Sequence, residues 1–184
     1  MKDLLALCCL LVVTTATLCA RGHDSTFCDG RDVILAMEAR YAGQWYEVAR
    51  YPNRFQSQCI GDTTATYRLR DDGDVGVVNR CRTADGMDEA NGVARRVDGR
   101  TDRLEVSFLP AVLRWLPLGW GRYWIIELAP DYRYAVIGEP SREYLWVLAR
   151  ARTLSPEDRR AIEARLPVHG YDPKRLVDSP QEKN

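Results

Sequence analysis

The chain has 184 residues, with 26 basic and 26 acidic side chains and a formal net charge of zero. That length holds one domain with a sizeable core and not two comfortable ones. Neutrality excludes a protein built to bind nucleic acid, which needs a cationic surface to replace phosphate counterions.

Met1-Lys2-Asp3 precedes a run without charge from Leu4 to Ala20, nearly all apolar as far as Val13. It is short of the roughly 20 apolar residues that span a bilayer, and Thr14, Thr15 and Thr17 dilute its second half. It therefore reads as an export signal over residues 1–20, with Asp3 an unfavourable element in it. Removing it takes Lys2 and Asp3 together and leaves the balance neutral.

Cys8, Cys9 and Cys19 fall in this segment, and Cys28, Cys59 and Cys81 remain. An oxidising destination favours a disulfide, and the preferred pair is Cys59 with Cys81, ahead of other pairings. Cys28 is then left over. Cys19 is a candidate for lipidation at the end of the signal, although Leu18 stands where a small residue is usual, so an unmodified Cys19 stays open.

Residues 21–40 read as an extended arm with a helical turn over 33–40. Strand patterns follow at 43–51, 63–70, 75–82, 89–97, 103–109, 122–128, 134–138 and 143–150. Eight short runs separated by turns predict an all-β, antiparallel up-and-down barrel or a sandwich. The clearest reversals are Asp71-Asp72-Gly73-Asp74, Asp85-Gly86, Asp98-Gly99 and Gly138-Glu139-Pro140-Ser141. Ala65, Tyr67 and Leu69 alternate with polar neighbours, as do Leu104, Val106 and Phe108, so the inward faces are apolar. Segments 122–128 and 143–150 are apolar on both faces, as expected where a helix covers the barrel. Ser155 as N-cap, Pro156 at the first position and Glu157 and Asp158 in the first turn start that helix, and Leu166-Pro167 ends it. Leu154, Ala161, Ile162 and Leu166 are its packing residues, and 174–177 is read as a short ninth strand.

Gly43-Gln44-Trp45-Tyr46-Glu47-Val48-Ala49-Arg50 carries the most information. The glycine admits a tight entry into the strand, the Trp45 indole fills the taper of a small barrel, and Arg150, at the end of the last strand, can lie on the indole as a cation–π lid. Gly43, Trp45 and Arg150 are thus read as a barrel floor.

These residues, with Pro52-Asn53-Arg54-Phe55, Thr64-Ala65-Thr66-Tyr67, Val78-Asn79-Arg80-Cys81, Asp131-Tyr132 and Arg150, resemble the ordered signatures of the lipocalin family, in its bacterial branch that is similar to apolipoprotein D. The resemblance covers about residues 40–178. It implies an eight-stranded barrel domain at 41–178 with one C-terminal flanking α-helix, a tail at 179–184, a closed floor and an open mouth. It also implies a fatty acid or lysophospholipid ligand and an envelope location, periplasmic or at the outer membrane, where bacterial relatives are commonly attached as lipoproteins.

Alternation, together with the resemblance, points to Tyr67, Leu69, Val106, Phe108, Tyr134, Tyr144 and Trp146 as lumen-lining residues. Composition alone favours plain core for the same set, since an eight-stranded barrel is just wide enough to be filled by its own side chains. Arg54 is read as a surface residue or a holder of a ligand head group. The segment 109–121 contains Leu113, Trp115, Leu116, Leu118 and Trp120, with one charge, which is abnormal for a soluble surface loop. In an up-and-down barrel it lies at the mouth. Entry into a membrane surface, a lid over the mouth and a homodimer contact are the readings that stay open.

An enzyme using a luminal thiol is the rival class, and a Cys59–Cys81 bridge silences it. His23 and His169 are the only histidines, so a zinc cluster or histidine-based triad lacks parts, and no nucleotide fingerprint is present. No catalytic residue, metal or cofactor is expected.

Overall fold

The computed structural model describes residues 39–182. The export signal, the arm up to residue 38, Cys19 and Cys28 lie outside them. Eight strands run up and down: β1 Gly43–Arg50, β2 Gly61–Leu69, β3 Val75–Thr83, β4 Gly86–Arg96, β5 Arg103–Ser107, β6 Gly121–Leu128, β7 Tyr134–Gly138 and β8 Trp146–Ala149. Each is antiparallel to the next, and β1 pairs with both β8 and β2, closing the barrel. Helix α1, Pro156–Arg165, follows, and β9, Val177–Asp178, adds to β1. The last barrel strand is shorter than its pattern predicts, because residues 143–145 form a loop leading into it.

Two apolar clusters hold the fold, one on each side of the sheet. Inside the barrel pack Trp45, Ala65, Tyr67, Val77, Leu104, Ala135, Ile137 and Leu148. Outside it, Val48, Tyr51, Val136, Leu145 and Val147 meet Ile162 and Leu166 of the helix and its C-terminal extension. Ser155 Oγ accepts from Asp158 N at 3.0 Å, capping α1. The Asp158 carboxylate takes a bidentate bond from Arg133, which fastens the helix start to the chain entering β7. Leu154 packs against the cluster as expected, whereas Ala161 is only half-buried.

The wall has a seam. β1 and β2 pair only from Gly43↔Tyr67 to Tyr46↔Thr64, and beyond that point the C-terminal segment inserts between them. Ser179 N donates to Val48 O, Asp62 N donates to Pro180 O, and Gln181 Nε2 bridges Glu47 O and Thr63 O. Residues 179–182, read from the sequence as a tail, are therefore built into the barrel wall. The backbone groups left unpaired where two strands diverge need partners, and this segment supplies them.

Cys59 and Cys81 are joined, with Cα atoms 5.6 Å apart and a sequence separation of 22. The bridge ties the long loop after β1 to β3. A Cys59→Ser/Cys81→Ser variant is expected to lose about 3 kcal/mol, from the loop entropy released in the unfolded chain. Urea unfolding of the oxidised and variant proteins measures this, and coincident midpoints would contradict it.

Candidate functional site: a barrel interior with a packed base and an open mouth

Strand direction assigns the two ends. β1 rises from Gly43 and β8 descends to Ala149, so Trp45 and Arg150 share one end, and the loops after β1, β3, β5 and β7 share the other. Trp45 is fully buried and its Nε1 donates to Tyr41 O at 2.8 Å. The Arg150 guanidinium lies 3.9 Å from the indole centroid and donates to the carbonyls of Arg40, Ala42 and Gln44. Gly43 has φ +91°, and a Cβ there would stand 3.5 Å from the Arg150 guanidinium. The expected floor residues are thus brought together.

Above the floor stands a cluster of which the sequence singled out only Tyr67. Tyr123 Oη is 2.7 Å from Tyr41 Oη and 2.9 Å from Tyr67 Oη. Burial pushes the Tyr67 phenol up to about 12 and those of Tyr41 and Tyr123 well above their ordinary 10. The fold therefore favours the neutral phenols, so their contribution is intact below pH 10 and is lost as the pH rises toward about 12. Tyr41, Tyr67 and Tyr123 are expected to remain protonated near pH 11 and to ionise together with unfolding. An alkaline titration of phenolate absorbance, run beside circular dichroism, tests this. Ionisation of these three phenols before unfolding would contradict it.

The half of the interior nearer the mouth is different. Inward positions on β4 and β6 are small: Ala90, Gly92 and Gly121 pair with Asn79, Val77 and Val106. Asn79, Val106 and Trp146 face inward yet are only half-buried, and Ala90 is exposed. Solvent thus reaches the inner wall from the mouth. Gly92 is required here, since a Cβ would stand 2.8 Å from the Phe108 ring, which folds over it at the rim.

Against this geometry the expected lining residues separate. Tyr67 forms part of the base, and Val106, Phe108 and Trp146 surround the open half. Tyr144 sits on the rim, between Phe55 and Trp146, with ring centroids at 5.2 and 6.1 Å. Two expectations are corrected. Leu69 ends β2 at the closed end and lines a crevice there with Tyr41, Val75 and Leu104, away from the mouth. Tyr134 packs outside the barrel in the helix-side cluster, its hydroxyl bonded to Glu127, while Ala135 and Ile137 take the inward positions. All of β7 is buried because α1 covers its outer face, so hydrophobicity there carries no information on direction.

A buried polar network joins the wall to the mouth. Glu47, 3% exposed, accepts from Arg50, from Ser179 Oγ and from Gln56 Nε2. Gln56 Oε1 in turn accepts from Trp146 Nε1 at 2.8 Å and from Asn53 Nδ2. Glu47 alternates in register with Trp45 along β1, the one signal by which the sequence could have placed it inside.

The mouth is ringed by exposed apolar side chains: Phe55 and Ile60 after β1, Met87 at the start of β4, and Val112, Trp115 and Leu118 after β5. Leu118 is fully exposed and Trp115 77% exposed. Leu113 is 41% exposed, and Leu116 and Trp120 are half-buried. Trp120 folds back, donating to Arg114 O at 2.7 Å with the Arg95 guanidinium 3.9 Å from its ring. Arg54 is exposed at the rim beside Phe55.

Residues 38–181 match the family model described as a lipocalin-like domain. The chain is a lipocalin. It is 38% identical over 145 residues to temperature-induced lipocalin-1 of Arabidopsis thaliana, covering 77% of each chain. It is 34% identical to outer membrane lipoprotein Blc of Citrobacter freundii, covering 90% of this chain and 91% of that one. It is 31% identical to apolipoprotein D of Macaca fascicularis, covering 78% and 76%. Among solved structures, lobster apocrustacyanin A1 superposes with a TM-score of 0.63 at 18% identity, over 84% of this chain and 87% of that one, which speaks to the fold. As a lipocalin related to Blc, the protein belongs with binders and carriers of small molecules.

Proposed function

We propose that this lipocalin is a non-enzymatic carrier of a single-chain lipid in the cell envelope, exchanging its cargo with a membrane through the mouth of the barrel. The acyl chain enters the open half between Val106, Phe108 and Trp146 and ends above the tyrosine cluster. Each methylene moved from water into this space contributes about 0.8 kcal/mol, so around ten of them support micromolar binding after association costs. The rival thiol enzyme has no free thiol among the described residues, since Cys59 and Cys81 are bonded to each other.

The observation that carries the membrane half of this reading is the apolar ring. Phe55 after β1, Met87 at the start of β4, and Trp115 and Leu118 of the loop after β5 converge on one end, unlike the scattered single residues normal for a protein surface. A lid folded over the mouth would turn Trp115 and Leu118 inward, whereas both stand in solvent. Tryptophan and leucine at a rim suit the boundary of a bilayer. The names of the Blc relatives, outer membrane lipoproteins, support an envelope location.

Partitioning onto vesicles of phosphatidylethanolamine and phosphatidylglycerol tests this. A Val112→Ser/Trp115→Ser/Leu118→Ser variant is expected to lose at least tenfold in binding, on the order of 1 kcal/mol or more for each side chain withdrawn. Unchanged partitioning would remove the membrane reading. Sedimentation of the same pair separates out a homodimer formed through the loop, in which the variant becomes monomeric.

A further inference from the structure

We infer that the inner wall of the open half holds a head-group subsite selective for neutral, hydroxyl-bearing lipids, so that a glycerol ester is preferred to a free fatty acid. The inference rests on the cargo reading above and concerns which end-group chemistry the same chamber accepts.

Thr63 and Asn79 lie on the inward face of β2 and β3. Thr63 shares the register of Ala65 and Tyr67, and Asn79 that of Val77, all inside the barrel. Asn79 pairs with Ala65, two residues along β2 from Thr63, which lies where the register of β2 on β3 shifts between Gly61 and Thr64. Thr63 is 6% exposed, and its Oγ1 finds no hydrogen-bond partner among the described residues. Asn79 Oδ1 is likewise buried and unpartnered. Buried polar atoms of native proteins are almost always paired, so two adjacent exceptions on one wall of an open chamber require a partner. A hydroxyl and a carboxamide each offer both a donor and an acceptor, whichever way the amide is turned. A ligand hydroxyl pairs with Thr63 Oγ1 and with Asn79 in either amide orientation, whereas a carboxylate only accepts and, in the orientation observed, leaves Asn79 Oδ1 unpaired.

Charge points the same way. The inward positions beside the subsite carry Glu47 and, opposite Cys81, Asp88. The guanidinium nearest them, Arg50, is bonded to Glu47. Its Nη1 donates to Glu47 and Ser179, while its Nε is buried without a hydrogen-bond partner among the described residues. An entering carboxylate therefore meets two carboxylates against one guanidinium already paired with Glu47, in surroundings where screening is weak.

The test is equilibrium dialysis of the mature protein against 1-oleoylglycerol, oleoyl-lysophosphatidylethanolamine and oleate, which share one acyl chain, each below its micellar concentration. The wild type is expected to bind oleoylglycerol at least tenfold more tightly than oleate. Asn79→Leu and Thr63→Val should bring that ratio close to one by weakening oleoylglycerol binding while leaving oleate unchanged. Both substitutions delete an unpaired polar atom at nearly constant shape, so the unliganded thermal midpoint should not fall, and Thr63→Val alone suffices if the leucine variant misfolds. Lysophospholipid binding as tight as oleoylglycerol assigns the preference to the glycerol hydroxyl in both, and weaker binding assigns it to the neutral head. Equal wild-type affinity for oleoylglycerol and oleate, or a ratio untouched by both variants, overturns the subsite and leaves the lipid carrier intact. If none of the three lipids binds, the carrier reading itself fails.

Discussion

Trp45→Ala is expected to destabilise the protein by about 3–5 kcal/mol, a large share of what holds a domain of this size together. The indole is fully buried, so its removal forfeits the transfer energy of a large ring and leaves a cavity at the floor of the barrel. Two further losses concentrate at the same place. Tyr41 O loses its donor, and Arg150 loses the ring beneath its guanidinium while still held by three backbone carbonyls. Those carbonyl bonds separate the two partners. Arg150→Met should cost roughly 2–3 kcal/mol by orphaning the carbonyls, and the double variant should cost less than the sum, because the cation–π contact is counted in each single change. Urea unfolding of the four proteins completes the cycle. Additive losses would show that the guanidinium and the indole do not act together.

Glu47→Ala is expected to cost about 3–5 kcal/mol, since it leaves Arg50 charged and half-enclosed without its partner. Replacing both Glu47 and Arg50 by leucine should recover much of the loss, because the pair was paying a desolvation cost that disappears with it. Glu47→Gln should fall between, keeping acceptors and shape while removing the charge. The effect extends to the mouth, as Glu47 holds Gln56, and Gln56 holds the Trp146 indole. Trp146 fluorescence in Glu47→Leu/Arg50→Leu should therefore change even where stability returns. A double variant as unstable as Glu47→Ala would mean that the network contributes through geometry and not through unpaired charge.

How much of this was legible in the chain differs from strand to strand. β2 and β5 have one wet and one dry face, and there the alternation of Ala65 and Tyr67, or Leu104 and Val106, read the inside correctly. β7 is dry on both faces, so Tyr134 and Ala135 were equally eligible for the interior and the larger residue was wrongly preferred. Leu69 had the right parity and the wrong height, because alternation fixes a face and says nothing about distance from the floor. Asn79 and Thr63 lie in patterns that were quoted for other reasons, and only the closed barrel reveals that Thr63 Oγ1 and Asn79 Oδ1 have no partner among the described residues. The tail went unread for a similar reason: Ser179 and Gln181 have no periodicity, and their role depends on the gap left where β1 and β2 part.

Local chemistry decided which segments became strands, where α1 starts, and that a glycine, a tryptophan and a distant arginine form a floor, because each follows from dihedral freedom, periodicity or the fit of one ring to one cation. What lies at a given height in the barrel, which polar atoms remain without partners and where apolar side chains gather came from the tertiary structure alone. Those properties depend on register and on closure between segments far apart in sequence, and a one-dimensional pattern carries neither.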